Sequence, residues 1–141
     1  MNRKELAQAY HDKGYNCAQS VSAAFLDSVD IDKNTLFAIS EGFGFGMGGA
    51  DETCGALTGA IMILSLLSSS HDPQRITKAS TYKEAKALRD EFHACCHSTI
   101  CRELKGLDNG VPLISCPECI NKAVECLEKR LDYLRLSPNT R

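Results

Sequence analysis

The chain has 141 residues, 16 Lys and Arg against 18 Asp and Glu, a formal net charge of −2, and eight cysteines. That length is enough for one domain with a real core, so size alone demands neither a metal nor a disulfide. The basic residues are scattered and form no stripe to neutralise phosphates, which argues against nucleic acid as a partner. Met1 to Gly14 is polar and charged with no apolar leader, and the longest apolar stretch, Ala60 to Leu67, is too short to cross a bilayer. These features predict a cytoplasmic protein without membrane insertion. Eight cysteines in a reducing compartment point to redox chemistry or metal ligation more than to static disulfides.

Helical periodicity runs along nearly the whole chain, with no convincing strand. Lys4 to Lys13 and Cys17 to Ser28 are broken at Gly14, and the second carries Cys17, Val21, Ala24 and Phe25 on one face. Thr35 to Glu41 follows a turn-like Asp30 to Asn34. Gly42 to Gly49 alternates glycine with Phe43, Phe45 and Met47 and reads as a flexible loop leading to the most apolar helix, roughly Gly55 to Ser68. Asp72-Pro73 reads as an N-cap and first-turn proline opening a long helix toward His97. A short helix after Cys101 closes at Gly106. The last helix repeats Ile120, Val124, Leu127, Leu131 and Leu134 at three and four residue steps before Ser137-Pro138. The expectation is all-α: a compact single-domain helical bundle over residues 1–141.

Four cysteines fall near predicted helix starts, where unpaired N–H groups and the helix dipole favour a thiolate. Asn16 precedes Cys17 with Gln19 three positions on, and Ser115 precedes Cys116 with Glu118 three positions on, both in capping-box pattern. Asp51 or Thr53 can cap the helix carrying Cys54. Ser98 would put Cys101 at the third helical position. Taken singly, each could equally be a small buried hydrophobe. Together they predict that Cys17, Cys54, Cys101 and Cys116 converge in space.

The run Gly46 to Ala60, which contains Thr53-Cys54-Gly55-Ala56-Leu57-Thr58-Gly59, resembles the signature of the C-GCAxxG-C-C family, small bacterial and archaeal proteins to which redox activity is ascribed. Asn16-Cys17-Ala18-Gln19-Ser20-Val21, Cys101-Arg102-Glu103-Leu104-Lys105-Gly106 and Cys116-Pro117 ahead of Ala123 agree with it. The resemblance implies an all-helical domain whose four shared cysteines match Cys17, Cys54, Cys101 and Cys116. The family is also related to a domain of split-Soret cytochromes. The haem-attachment pattern C-x-x-C-H is absent here, so covalent haem is not implied. Cys95, Cys96, Cys119 and Cys126 depart from the family pattern.

Two further patterns bear on cofactors. Gly44-Phe45-Gly46-Met47-Gly48-Gly49 matches G-x-G-x-x-G, but a dinucleotide site needs a preceding strand and a βαβ unit, and neither is legible. His93, His97 and Cys101 recur at four-residue steps beside Cys96, and Cys116-Pro117-Glu118-Cys119 is a C-x-x-C pair, so soft ligands for zinc or an iron–sulfur cluster are present. Their spacing matches no standard site. Cys126 reads as packing and Cys95 as buried.

The sequence predicts thiol–disulfide or electron-transfer chemistry by these four cysteines. A first-turn thiolate, Cys54 or Cys17, attacks an oxidised substrate, and Cys101 or Cys116 resolves the mixed disulfide. No cofactor is required for that exchange, and electrons would come from a redox partner protein or a small thiol. In the alternative, Cys17, Cys54, Cys101 and Cys116, with Cys119 or His97, hold an iron–sulfur cluster or zinc. Within the C-x-x-C, Cys116 is expected to be the functional member and Cys119 a substitute or bystander. The oligomeric state stays open, a homodimer included.

Overall fold

The computed structural model describes residues 1–136 and contains seven helices: α1 (Arg3–Asp12), α2 (Cys17–Ala23), α3 (Lys33–Ser40), α4 (Gly55–Ser68), α5 (Lys78–Cys96), α6 (Cys101–Lys105) and α7 (Cys116–Leu136). Among the described residues there is no strand, only an isolated bridge between Thr53 and Ile100. No helix there is long and apolar enough to cross a membrane. The expected stop at Ser137-Pro138 lies outside the described residues.

Helical spacing of apolar side chains builds one core. Val21, Phe25, Leu57, Ile63, Leu64, Leu88, Phe92, Ile120, Val124 and Leu127 are all sealed from solvent. Each such side chain contributes about 1.5–3 kcal/mol relative to an exposed one. Helix α4 sits centrally, packed against α2, α5 and α7, while α1 lies along α7. Its small residues set the tightest approach. A Cβ added at Gly59 would stand 2.6 Å from the Ala18 carbonyl oxygen, so the backbones of α2 and α4 nearly touch. That contact brings the start of α2, with Cys17, beside the start of α4, with Cys54.

Several expected boundaries differ. Cys17 to Ser28 divides into α2 and a 3-10 turn, Leu26–Ser28. The Asp72-Pro73 start is wrong. Asp72 Oδ1 accepts from the Gln74 N–H at 2.9 Å and Ser70 Oγ donates to the Arg75 carbonyl at 2.5 Å. These bonds close a turn, and α5 begins only at Lys78. Neither Asp51 nor Thr53 caps α4. Cys54 itself occupies the N-cap position, because Thr53 pairs with Ile100 and the Cys54 N–H donates to the Thr99 carbonyl at 2.7 Å.

The glycine-rich loop is a tight left-handed turn, with Phe45, Gly46 and Met47 at φ of 52°, 55° and 64°. Positive φ costs a non-glycine residue roughly 1–2 kcal/mol. The turn is held by the Ala50 N–H donating to the Phe45 carbonyl at 2.7 Å and by the Cys101 and Arg102 N–H groups donating to the Glu52 and Ala50 carbonyls. Arg102 adds ion pairs to Asp51 and Asp108. Gly46 permits the fit: a Cβ there would stand 2.7 Å from Cys101 Cβ.

Candidate functional site

Cys17 and Cys116 are each the first residue of a helix. Asn16 Oδ1 accepts from the Gln19 N–H at 2.9 Å while Gln19 Oε1 accepts from the Asn16 N–H at 3.0 Å, completing the expected capping box. Asn16 Nδ2 also donates to the Glu41 carbonyl, tying the cap to the segment ahead of the left-handed turn. Ser115 Oγ accepts from the Glu118 N–H at 3.3 Å. At the head of α4 the Cys54 carbonyl accepts from the Leu57 and Thr58 N–H groups, both at 3.1 Å.

Cys101 differs from its expected setting. His97 ends α5 in the left-handed conformation, φ 72°, and Ser98 Oγ accepts from the Ile100 N–H and donates to Glu103 instead of capping. Cys101 is therefore the first residue of α6, and its own N–H is already taken by the Glu52 carbonyl. Burial pushes its thiol above the usual range, with the charges of Cys54 and Cys116 in the same direction.

The thiols influence one another: Cys17 and Cys116 push each other's titration in opposite directions, and Cys119 does the same with Cys54 and Cys96. Within the first pair the proton stays on Cys17. Cys17 and the Lys105 ammonium bring Cys116 down to about 5, against the effect of burial. Cys116 and burial drive Cys17 up. Among the other three, Cys119 is the protonated member, raised first by Cys54 and then by Cys96, while Cys119 and the α4 N–H groups hold Cys54 below the usual range. Burial works against the Lys105 charge, yet the negative Cys116 sulfur holds that ammonium protonated. The Lys105 Nζ also lies 5.4 Å from the Phe45 ring centroid, which fixes the lysine between the left-handed turn and the thiols.

Cys17, Cys54, Cys101, Cys116 and Cys119 line one cavity of about 170 Å³, closed by Phe45, Ile114 and Lys105. The expected convergence of the four cysteines is thus found. The volume is below the roughly 300–1,000 Å³ of small-molecule pockets, and suits the tip of a thiol or disulfide side chain. A larger apolar groove, about 450 Å³ beside Ile39, Phe43 and Met62, has no cysteine in its walls.

Other expectations fare differently. Cys126 is buried as expected, and burial pushes its thiol up to about 12. Cys95 is exposed rather than buried, because it sits on the outer side of α5. His93 and His97 are exposed, and the left-handed His97 takes the chain off the helical path that would have aligned them with Cys101. Among the described residues no three His, Cys, Asp or Glu side chains are gathered to hold a metal ion. Lys105 was not singled out from sequence. Its spacing of four from Cys101 on a short helix was the available signal, since that spacing places two side chains on one face.

The fold and site define an all-α protein with a thiol-lined cavity under helix starts and a strained glycine turn. Residues 15–130 match the family model described as "Putative redox-active protein (C_GCAxxG_C_C)", and the chain belongs to that family. No curated protein and no solved structure matches it.

Proposed function

We propose that the protein is a dithiol–disulfide redox protein whose working pair is Cys116 and Cys17. One observation carries this: Cys17 and Cys116, each the first residue of its helix, line one small cavity together with Lys105. The roles are the reverse of those expected from sequence, with Cys116 attacking and Cys17 resolving.

The Cys116 thiolate attacks one sulfur of a substrate disulfide, forming a mixed disulfide and releasing the other half as thiolate. Cys17, having lost its acceptor, gives its proton to that leaving thiolate. Its own sulfur then attacks Cys116, which forms the Cys17–Cys116 disulfide and releases the second half of the substrate. Two electrons pass to the substrate. A small thiol or a redox partner protein restores the dithiol by the reverse exchange. Lys105 stabilises the charge on Cys116 before attack and again when that sulfur leaves.

The test is turnover of a protein disulfide with glutathione as reductant, using protein purified without oxygen and checked for metal and visible absorption. Wild type is expected to turn over without metal, and Cys116→Ser is expected to lose essentially all of that activity. Activity retained by Cys116→Ser, or a stoichiometric metal with thiolate charge-transfer bands, would replace this proposal with the metal-binding one.

A further inference from the structure

Two bulky residues beside the thiol cavity hold a costly backbone conformation without burying their side chains. Phe45 and Met47 stand at φ of 52° and 64°, where a Cβ crowds the following carbonyl, yet they are 49% and 45% exposed. Glycine or asparagine would hold the same turn with less strain. Packing therefore does not explain the two side chains, and Phe45 forms part of the cavity wall. A second segment of the wall is also apolar and open to solvent. Ile114 lines the cavity, and the chain before it folds back on α6, the Leu113 and Ile114 N–H groups donating to the Leu104 carbonyl at 3.0 and 3.4 Å. Val111 and Leu113 in that segment are exposed. The left-handed turn itself packs against α6, so these exposed side chains belong to two neighbouring segments at one cavity. Arg102, the cation on α6 nearest the turn, is already paired with Asp51 and Asp108.

We propose that these two segments are the docking surface for a polypeptide substrate, and that Phe45 and Met47 select a cystine flanked by apolar side chains. This rests on the dithiol reading of the cavity and names its substrate class. A volume of about 170 Å³ admits the disulfide itself, so the residues on either side of the substrate cysteine lie outside it. There they meet the Phe45 ring and the Met47 thioether on one segment, and Val111 and Leu113 on the other. Covering such groups is favourable, and methionine adapts its shape to differing neighbours. Glutathione disulfide enters the same cavity but offers carboxylates and amides to apolar surroundings, with Arg102 already held by its own two acids. The exchange at Cys116 is the same for both substrates. The docking surface adds binding that is equal before and during that exchange, so it lowers KM and leaves kcat as it is.

The experiment is reduction, by the full chain, of two peptide disulfides that differ only in carrying leucine or serine on both sides of the cysteine. Glutathione recycles the protein, the uncatalysed exchange is subtracted, and peptide mass mapping follows Cys17–Cys116. Wild type is expected to prefer the leucine peptide about ten-fold in kcat/KM, through KM, because the preference reports apolar surface removed from water. Phe45→Asn is expected to lose most of that preference and Met47→Asn part of it. The urea midpoint of each should hold or rise, because asparagine accepts the left-handed conformation. Side chains needed only for packing would instead lower the midpoint and leave the preference intact, which overturns the proposal. Equal KM for the two peptides in wild type, with Cys17–Cys116 formed, also overturns the docking surface while the dithiol stands. If Cys17–Cys116 forms with neither peptide, it is the underlying redox reading that fails. A wild-type dimer in size-exclusion chromatography that Phe45→Asn dissociates would assign the surface to a second copy of this chain, again against the proposal. Should a variant misfold, the two peptides on wild type decide alone.

Discussion

Cys17→Ala is expected to remove the acid-range reactivity of Cys116 toward an alkylating reagent. The reagent consumes thiolate, so a thiol near 5 stays reactive as pH falls from 7 until it protonates near that value. Cys17 is the largest cause of that lowering and Lys105 comes after it. A return to the free-thiol value of about 8.5 would cut the thiolate fraction at pH 6 from about nine-tenths to below ~1%. At pH 9 the order reverses. A more basic thiolate is intrinsically the better nucleophile, by about 30-fold for such a change, so the two rate profiles should cross. Lys105→Met should shift the profile in the same direction by less. Cys17→Ser is the control, because its hydroxyl keeps a proton to donate. Superimposable profiles for wild type and Cys17→Ala would mean that the two sulfurs do not share a proton.

Gly59→Ala carries the second large effect, this time on stability. In an exposed helix interior, replacing glycine with alanine gains up to ~1 kcal/mol. Here the added Cβ meets the Ala18 carbonyl oxygen at 2.6 Å and the Ala18 Cα at 3.0 Å, both backbone atoms that cannot rotate away. The expected sign is therefore destabilising, by about 1–3 kcal/mol in urea denaturation. The shift also separates α2 from α4, so Cys17 and Cys54 move apart and the cavity opens. Gly49→Ala has open space around its Cβ and should stay within ~0.5 kcal/mol of wild type. A stabilised Gly59→Ala protein would contradict the close approach of the two helices.

What could be read from the letters was local. The apolar run from Gly55 to Ser68 became α4 with those bounds, because glycines and serines flank an uninterrupted helical pattern. Asn16–Gln19 and Ser115–Glu118 announced the starts that carry Cys17 and Cys116, since a cap is a contact between residues three apart. Long-range contacts were not legible. The Cys101 N–H is satisfied by Glu52, far away in sequence, which left Ser98 free to bond Glu103. Glycine spacing suggested freedom between Gly42 and Gly49, but not that Phe45 and Met47 would be forced into the left-handed region as well. Asp72-Pro73 has the letters of a helix start, and only the local bonds of Ser70 and Asp72 show a turn instead. The meeting of Cys54 and Cys119 at one cavity depends on how α4 and α7 pack, and no short motif encodes that.

The most direct measurement is a redox titration of the reduced protein in glutathione buffers, quenched in acid and mapped by peptide mass. A Cys17–Cys116 disulfide that rises and falls reversibly with the buffer ratio, ahead of any bond involving Cys95 or Cys126, is the predicted result. Cys17 and Cys116 remaining separately alkylatable after every other oxidisable thiol has reacted would contradict a working pair at this site.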